Sequence, residues 1–441
     1  MSGVRNKLLY IETFGCQMNV NDTDRMFAML AAQGYKRTEE LERADMILLN
    51  TCSVRGTAEQ RMYGHLGAMK RLKQKKPSLI IGVSGCVAQQ EGEQILKKVR
   101  HVDLVVGTHN LHLLPGMVAA AERGGKQAET AFLDNDTRIA LYPTVNSAGG
   151  VTAFVTAMQG CDNFCTYCIV PYVRGREISR PATEIVEEVR RLADSGTREV
   201  TLLGQNVNSY GLKGCDEPDF ATLIRMVAAV DGIKRIRFMT SHPKDISPAL
   251  IACYADIEKL CAHIHLPAQS GSDKVLARMG RGYTRAQYME SIHALRRARP
   301  DILFTGDMIA GFPGEGEDDF QKTLSLMDEV RYADLFSFIY SVRPGTKAAE
   351  FPEQLNYGEK QERLHRLQTL QAKITRELHE SLVGSRQYVL VEGESRKKGQ
   401  LSGRTDGNRI INFEAAPDKI GAILDVTVTK AHQTSLFGTV T

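Results

Sequence analysis

Residues 160–168 read Gly-Cys-Asp-Asn-Phe-Cys-Thr-Tyr-Cys, and this stretch decides how the rest of the chain is interpreted. Cys161, Cys165 and Cys168 are spaced as C-x3-C-x2-C, directly after an apolar strand candidate. Three thiolates from one loop can hold three irons of a 4Fe–4S cluster and leave the fourth iron open to a small molecule. A zinc site is the alternative, but structural zinc takes four ligands and no histidine lies near this loop in the sequence.

The chain around this loop alternates strand and helix patterns, which indicates an α/β fold. Six strand–helix units predict a partial parallel barrel rather than a closed eight-stranded one. The six strand candidates are Ala153–Met158, Glu199–Leu203, Arg235–Met239, His263–Leu266, Leu303–Ile309 and Leu335–Tyr340. A smaller parallel α/β sheet is predicted before the barrel, from the strand candidates Leu8–Phe14, Met46–Asn50, Leu79–Val83 and Val102–Val106 and from helices such as Asp22–Gln33 and Gln89–Val99.

The end of the chain has a different pattern. Residues Glu359–Glu380 predict one helix, because apolar residues recur there at spacings of three and four. A small all-β barrel is predicted after it, from the short alternating segments Tyr388–Val391, Gly399–Gly403, Arg409–Phe413 and Ile423–Lys430. We therefore expect four parts: an N-terminal domain at 5–123, a linker at 124–146, the partial barrel at 147–378 and the C-terminal barrel at 379–441.

Three further cysteines occupy equivalent places in the N-terminal region. Cys16, Cys52 and Cys86 each follow a strand candidate, and the intervals from 16 to 52 and from 52 to 86 are 36 and 34 residues. If the strands are parallel, the three thiols meet at the carboxyl edge of one sheet, where α/β sheets place ligands. Gly15 and Gly85 suit the sharp turn that such ligands need. A free cysteine is often only a small core residue, but three at matching strand ends predict a second cluster.

These motifs resemble the radical S-adenosylmethionine (SAM) superfamily. The resemblance implies that the open iron binds the methionine part of SAM and that the reduced cluster cleaves SAM to a 5′-deoxyadenosyl radical, which attacks an unactivated C–H bond. Three segments further resemble its methylthiotransferase branch, in which a second cluster carries the sulfur and a TRAM domain ends the chain. They are Gly15-Cys-Gln-Met-Asn19, Asn50-Thr-Cys-Ser-Val-Arg55 and Ser84-Gly-Cys-Val-Ala-Gln89.

Two later segments, Val173-Arg-Gly-Arg-Glu177 and Gly204-Gln-Asn-Val-Asn-Ser-Tyr210, bear on the substrate. They are similar to the branch that adds a methylthio group to C2 of isopentenylated adenosine in the anticodon loop of tRNA. Two related branches, which act on threonylcarbamoyl-adenosine in tRNA or on an aspartate of a ribosomal protein, remain alternatives. A non-catalytic iron–sulfur protein, an electron carrier or a redox-sensing RNA binder, is an alternative of another class. An electron carrier, however, commonly has every iron ligated by protein.

The resemblance also implies contacts with SAM. It places Tyr167, between two cluster cysteines, near the adenine, and it places Gly204, Gln205 and Asn206, after the second barrel strand, near the methionine amino group. Near the ends of the fourth and fifth strands, three further residues are expected to line the cavity: His265, Gln269 and Asp307.

For RNA, Arg174 and Arg176 lie just beyond the cluster loop, where a substrate phosphate could sit, and Arg404 and Arg409 lie in the C-terminal barrel. The alternative for the first pair is salt bridging to nearby glutamates, namely Glu177, Glu184 or Glu187.

Composition agrees with these predictions without proving them. The chain has 441 residues, 42% hydrophobic and 24% charged, as is typical of a globular protein of several domains. Its net charge of +4, from 56 basic and 52 acidic residues, permits a nucleic-acid partner but does not indicate one. Nine cysteines with no signal-peptide pattern argue against a disulfide framework. We expect a monomeric cytosolic enzyme with no membrane span, dependent on an electron donor, in which Cys215, Cys253 and Cys261 are not ligands.

Overall fold

The computed structural model describes residues 7–53, 56–141, 150–213 and 217–441. The chain forms two compact units. The first unit comprises Met1–Ser147, Gln159–Asp162 and Cys168–Arg180, and the second comprises Ala148–Met158, Asn163–Tyr167 and Pro181–Thr441. The C-x3-C-x2-C loop therefore contributes to both units. Among the described residues, no helix combines the length and the apolar character needed to cross a membrane.

The first unit is built on a six-stranded parallel sheet. Its strands are β1 (Lys7–Thr13), β2 (Tyr35–Arg37), β3 (Met46–Thr51), β4 (Ile80–Gly85), β5 (Leu104–Val106) and β6 (Gln127–Glu129). They pair in the order β2-β1-β3-β4-β5-β6. The helices are α1 (Gln17–Ala31), α2 (Gly56–Lys75), α3 (Cys86–Glu91), α4 (Glu93–Lys98), α5 (Leu114–Ala121) and α6 (Asn135–Ala140). β3 and β4 are buried along their whole length, as expected of central parallel strands covered on both faces.

The four strands predicted in this region are confirmed, but several details differ. β2 and β6 were not predicted, because each is a three-residue edge strand, Tyr-Lys-Arg or Gln-Ala-Glu, with no apolar run. Part of the predicted linker is not a linker, since β6 pairs with β5 and α6 follows it. The predicted helix Gln89–Val99 is two helices, because the backbone breaks at Gly92 with φ of +51°.

The six predicted barrel strands are also confirmed. Around the cysteine loop lie β7 (Thr152–Thr156), β8 (Met158–Gln159), α7 (Val170–Arg174) and β9 (Ile178–Ser179). The elements that follow are α8 (Ala182–Asp194), β10 (Glu199–Leu203), α9 (Phe220–Ala228), β11 (Arg235–Met239), α10 (Pro248–Asp256), β12 (His263–His265), α11 (Asp273–Met279), α12 (Arg285–Ala298), β13 (Leu303–Ala310), α13 (Glu317–Val330) and β14 (Asp334–Ile339). β7, β10 and β11 form one parallel sheet, and β12, β13 and β14 form another.

The predicted long helix is α14 (Tyr357–Glu380), which begins with a capping box between Asn356 and Glu359. The chain then forms a closed five-stranded barrel of β15 (Arg386–Glu394), β16 (Gln400–Thr405), β17 (Ile410–Glu414), β18 (Ile423–Ala431) and β19 (Leu436–Val440). The last strand was not predicted. Short 3-10 helices lie at Leu41–Arg43, Leu111–Leu113, Val207–Ser209, Pro243–Asp245, Lys347–Glu350 and Pro417–Lys419.

The turn between β4 and α3 requires glycine. Gly85 has φ of +88°, and a Cβ added to it would lie 2.3 Å from the carbonyl oxygen of Thr51 and 2.6 Å from Asn50 Oδ1. The turn therefore brings the chain against the end of β3 and makes Cys86 the first residue of α3.

We expect Gly85→Ala to lower the free energy of unfolding by about 2 kcal/mol or more, because backbone strain and the clash with Thr51 add together. The control is Gly64→Ala within α2, where an added Cβ would have nothing within 4 Å. That change should stabilise the chain by about 0.5–1 kcal/mol. Urea unfolding followed by circular dichroism measures both, and equal midpoints for Gly85→Ala and the unmodified chain would contradict this account of the turn.

Candidate functional site

The carboxyl ends of β1, β3 and β4 are neighbours in the first sheet, and a cysteine follows each of them. Cys16 is the N-cap of α1, Cys52 directly follows β3, and Cys86 begins α3. The thiols of Cys16 and Cys52 share a hydrogen bond, and a Cβ added to Gly15 would lie 2.8 Å from Cys52 Sγ. The sheet thus brings together the three cysteines that the sequence placed at equivalent strand ends.

A buried arginine lies against these thiols. Arg174 Nη2 is 2.8 Å from Asp22 Oδ2, and the two side chains are only 4% and 3% exposed. Arg174 also donates to Asn19 Oδ1 at 2.8 Å, and its charge acts on the thiol of Cys86. The same oxygen of Asn19 accepts a long hydrogen bond of 3.8 Å from Cys16 Sγ. Arg174 therefore links a carboxylate to two of the three cysteines.

Burial and charge act differently on these groups. The hydrogen bond with Cys52, assisted by the nearby Arg174 charge, lowers the pKa of Cys16 to about 6. Burial raises the pKa of Cys86, although the Arg174 charge opposes it. Burial also disfavours the charge on Arg174, but attraction to Asp22 and to the thiols raises its pKa overall. A permanent cation beside Cys16 favours the thiolate, which is the form that binds metal.

Arg174 reaches this position on α7, the short helix that follows Cys168. Ile169 and Val173 form an apolar cluster with Cys86. Arg138 donates to the carbonyl oxygens of Arg174 and Arg176 at 3.2 and 2.8 Å, which fixes the end of the helix. The segment after the central cysteine loop is therefore part of the N-terminal cysteine site.

This arrangement does not support the phosphate contact predicted for Arg174. The side chain is buried, and its carboxylate partner is Asp22 rather than a nearby glutamate. Arg409 is only 7% exposed, and burial lowers its pKa to about 10, so it does not suit the predicted RNA contact either. Arg404 pairs with Glu392 at 3.2 Å. Arg176 is well exposed and lies 3.1 Å from Asp162 Oδ1.

In the second unit, Cys165 meets another buried arginine. Arg281 Nη1 lies 3.5 Å from Cys165 Sγ and 3.5 Å from the hydroxyl of Tyr167. Its Nη2 donates to the carbonyl oxygen of Pro267 at 2.9 Å, and its Nε donates to the hydroxyl of Tyr283 at 3.1 Å. The guanidinium is thus held on several sides and directed at a cysteine of the central motif.

Sequence reasoning missed Arg281. It lies between α11 and α12, flanked by Gly280 and Gly282, whose φ values are +71° and +72°. Two glycines around a single arginine, in Met279-Gly-Arg-Gly-Tyr283, are the signal that could have identified it. Such glycines allow a sharply turned backbone to present one side chain inward.

Three residues predicted to line the SAM cavity lie together. His265, at the end of β12, has Nε2 3.6 Å from Oδ2 of Asp307, which lies on the neighbouring strand β13. His265 Nδ1 lies 3.1 Å from Thr305 Oγ1. Gln269 has φ of +72°, and its backbone amide donates to the carbonyl oxygen of Asp307 at 3.0 Å. The structure thus places these three residues close to one another, and their contact with SAM stays a prediction.

The other predicted SAM contacts follow β10. A Cβ added to Gly204 would lie 2.6 Å from Met158 Cγ, so a larger residue does not fit there. Asn206 is buried and donates to Asp245 Oδ2 at 2.7 Å, which indicates a role in holding the loop. Gln205, between them, is half-buried.

His242, after β11, is a second residue that sequence reasoning did not assign. Its Nδ1 accepts from the amide of Lys244 at 3.3 Å, so Nε2 carries the proton. Asn208 holds its backbone, accepting from the His242 amide at 2.8 Å and donating to the His242 carbonyl at 2.9 Å. Within the described ranges, the buried Nε2 has no hydrogen-bond partner. An unpaired buried donor is costly, which leaves this group available to a ligand.

The donor groups that the cysteine sites offer are thiols. In the part of the chain that the structure describes, no three His, Cys, Asp or Glu side chains form a site for one metal ion. In a cluster each thiolate binds its own iron, and thiols at one sheet edge with a cation beside them fit that demand. Cys253 and Cys261 are buried in the second unit, apart from these sites, whereas Cys215 lies outside the described residues.

Comparison with known proteins matches all three regions. Residues 8–107 match the family described as Uncharacterized protein family UPF0004, residues 155–327 match the Radical SAM superfamily, and residues 380–441 match the TRAM domain. Similar curated proteins are named tRNA-2-methylthio-N(6)-dimethylallyladenosine synthase. The protein of Geobacter sulfurreducens is 63% identical, covering 98% of this chain and 97% of that relative. The Pelobacter propionicus protein is 61% identical, covering 98% of each, and that of Syntrophus aciditrophicus is 48% identical, covering 98% and 94%.

Solved structures show a similar fold at low identity. The radical S-adenosylmethionine methyltransferase TsrM from Kitasatospora setae has a TM-score of 0.58 at 12% identity, covering 90% of this chain and 77% of that chain. The cobalamin-dependent S-adenosylmethionine radical enzyme OxsB has a TM-score of 0.54 at 13% identity, covering 82% and 56%. Both likenesses concern the fold alone.

The buried pair of Arg174 and Asp22 makes a direct prediction about stability. Arg174→Met leaves a buried carboxylate without its partner and should cost about 3–5 kcal/mol of unfolding free energy, as should Asp22→Leu. The double variant should lose less than the sum of the two by at least about 1 kcal/mol, because it leaves neither charge unpaired. Denaturant unfolding of the three variants measures this coupling, and strictly additive losses would show that the two side chains do not interact.

Proposed function

Because the chain belongs to the family of tRNA-2-methylthio-N(6)-dimethylallyladenosine synthases, we propose that it adds a methylthio group to C2 of N6-isopentenyladenosine beside the anticodon of tRNA. The observation that carries the proposal is the full-length identity of 63% with a relative of that name. The same name recurs among relatives down to 48% identity, which favours this substrate over the two related branches. The match to the TRAM domain supports an RNA substrate.

Membership of the radical SAM superfamily implies a 4Fe–4S cluster and SAM as cofactors. Cys161, Cys165 and Cys168 would hold three of the irons. When bound, this cluster and SAM supply a radical able to break the C–H bond of the adenine ring. Around that site, Tyr167, Gln205, His242 and the pair of His265 and Asp307 are the candidates to position SAM and the base, joined by Gly204, Asn206 and Gln269.

A second cluster, held by Cys16, Cys52 and Cys86, is the proposed source of the sulfur. The hydrogen-bonded thiols of Cys16 and Cys52, the lowered pKa of Cys16 and the adjacent Arg174 support it. Arg174 favours the thiolate forms and is itself fixed by Asp22 and Asn19. We further propose that the protein works as a monomer in the cytoplasm, where its tRNA substrate is found, and takes electrons from a separate donor.

The C-terminal barrel has a groove whose lining residues are better placed to bind RNA than Arg404 and Arg409, the two residues predicted from the sequence. Its volume is about 810 Å³, and it is lined by residues that include Arg396, Lys397, Lys430, Asn412 and Phe437. The three cations are exposed, and across the described ranges they form no ion pair. Exposed cations beside an aromatic ring are typical of single-stranded nucleic-acid sites. We propose that this groove binds tRNA.

The function itself is tested by analysing tRNA nucleosides from a strain that lacks the protein. We expect N6-isopentenyladenosine to accumulate and its 2-methylthio derivative to disappear, as measured by mass spectrometry. Wild-type protein should restore the derivative, whereas Cys161→Ala should not, because the central cluster loses a ligand. An undiminished level of the 2-methylthio derivative in the strain without the protein would show that the chain does not perform this reaction.

Iron content tests the number of clusters. After anaerobic reconstitution we expect about eight irons per chain, from two four-iron clusters. The variants Cys161/Cys165/Cys168→Ala and Cys16/Cys52/Cys86→Ala should each retain about four. Cys253→Ala is the matched control and should retain the full amount, since this cysteine is buried elsewhere. Wild-type protein that never exceeds about four irons would refute the N-terminal cluster.

The groove is tested by a salt titration of tRNA affinity. Lys397→Ala/Lys430→Ala should weaken binding and reduce the slope of log affinity against log salt by about 1.4–1.8, because two phosphate contacts are lost. The control Arg386→Ala/Lys419→Ala removes the same charge from barrel residues that do not line the groove. Equal slopes for the two variants would mean that the groove is not the binding surface.

A further inference from the structure

Arg174 and Arg281, the buried arginines that act on cysteines of the two sites, differ in how their charges are balanced. Arg174 faces the carboxylate of Asp22 at 2.8 Å, so its positive charge is compensated. Arg281 instead contacts neutral groups, namely the Pro267 carbonyl and the hydroxyls of Tyr167 and Tyr283, together with Cys165 Sγ. Of the ion pairs formed within the described ranges, none involves Arg281. Its charge is therefore directed at the cysteine without a carboxylate to offset it.

A buried cation with no compensating negative charge destabilises the folded state, so its presence calls for an explanation. Removing a charge from water costs several kcal/mol unless an opposite charge lies nearby. Arg281 is 5% exposed and cannot relieve the cost by losing its proton, because a guanidinium stays protonated in proteins. Of the groups that Arg281 contacts, the thiol of Cys165 is the one that ionises most readily, since a thiol is ordinarily more acidic than the hydroxyls of Tyr167 and Tyr283. The arrangement is favourable when that sulfur belongs to an anionic group, as a thiolate-ligated cluster is.

We propose that Arg281 is a positioning residue that holds an uncompensated positive charge against Cys165 and thereby makes the central cluster easier to reduce. The proposal rests on the central cluster of the proposed function. Reduction adds one electron, delivered by an external low-potential donor, and so adds one negative charge next to the guanidinium. A nearby cation stabilises that state strongly in a buried site, where the effective dielectric constant is low. Hydrogen bonds to the sulfurs are among the features that set such potentials.

The surrounding residues hold the guanidinium in its position beside Cys165. Tyr283 accepts from Arg281 Nε and donates its own proton to the carbonyl oxygen of Ala268 at 2.8 Å. The Pro267 carbonyl holds the opposite end of the guanidinium. The backbone on both sides is constrained by glycines with positive φ. This support makes the position of the charge a property of the fold, which is what a potential-setting residue requires.

The test is the midpoint potential of the central cluster, measured by an electron paramagnetic resonance titration without RNA. The full chain carries Cys16/Cys52/Cys86→Ala, so that only the central cluster contributes. Arg281→Gln should lower the ratio of reduced to oxidised cluster at a given potential at least tenfold, which is a downward shift of about 59 mV for one electron. Arg281→Lys keeps the charge and should recover more than half of that shift.

The matched control is Arg278→Gln, three residues earlier at the end of α11. This arginine already has Glu353 as its ion-pair partner, so its removal should leave the potential unchanged. An Arg281→Gln variant with full iron and an unshifted potential would overturn the proposal. If Arg281→Gln fails to retain iron, Arg281→Met takes its place as the uncharged variant, and an unshifted potential in that variant would equally overturn the proposal. Neither result depends on whether tRNA is the substrate.

Discussion

Parallel pairing of neighbouring strands is the constraint on which the rest of this structure depends. All strands of a parallel sheet point the same way, so the loops that follow them emerge at one edge. In the first unit, this edge gathers Cys16, Cys52 and Cys86 from three separate loops. In the second unit, the same constraint puts His265 beside Asp307 on adjacent strands. The chemistry is therefore assembled from segments that are far apart in the sequence.

Features that repeat along the chain could be predicted from the sequence. Apolar runs predicted the central strands. Because a cysteine follows each of three such strands, the sequence also predicted that the three N-terminal thiols meet. The edge strands β2 and β6 could not be predicted, because three polar residues carry no periodic signal. Contacts between polar side chains that lie far apart in the sequence could not be predicted either. Arg174 and Asn19 are 155 residues apart, and Arg281 and Cys165 are 116 residues apart, so only the folded chain shows that they meet.

Burial, rather than composition, decides what each basic residue does. Arg174 and Arg409 were predicted to contact RNA but are buried, whereas Arg396, Lys397 and Lys430 are exposed around a groove of the C-terminal barrel. The nearly equal numbers of acidic and basic residues do not show which basic residues are buried and which are exposed. The buried Arg174 and Arg281 lie where a low dielectric constant would strengthen the effect of their charges on nearby sulfur. The exposed cations are suited to phosphate, where the release of counterions drives binding.

The central claim is that two cysteine sites on one chain have separable tasks, one cleaving SAM and the other supplying sulfur. The most direct test is product analysis of the Cys16/Cys52/Cys86→Ala variant, reconstituted with iron and supplied with a strong reductant, SAM and tRNA. The account predicts that 5′-deoxyadenosine still forms while no 2-methylthio nucleoside appears. Loss of SAM cleavage in a variant that retains the central cluster, or undiminished methylthio product, would contradict it.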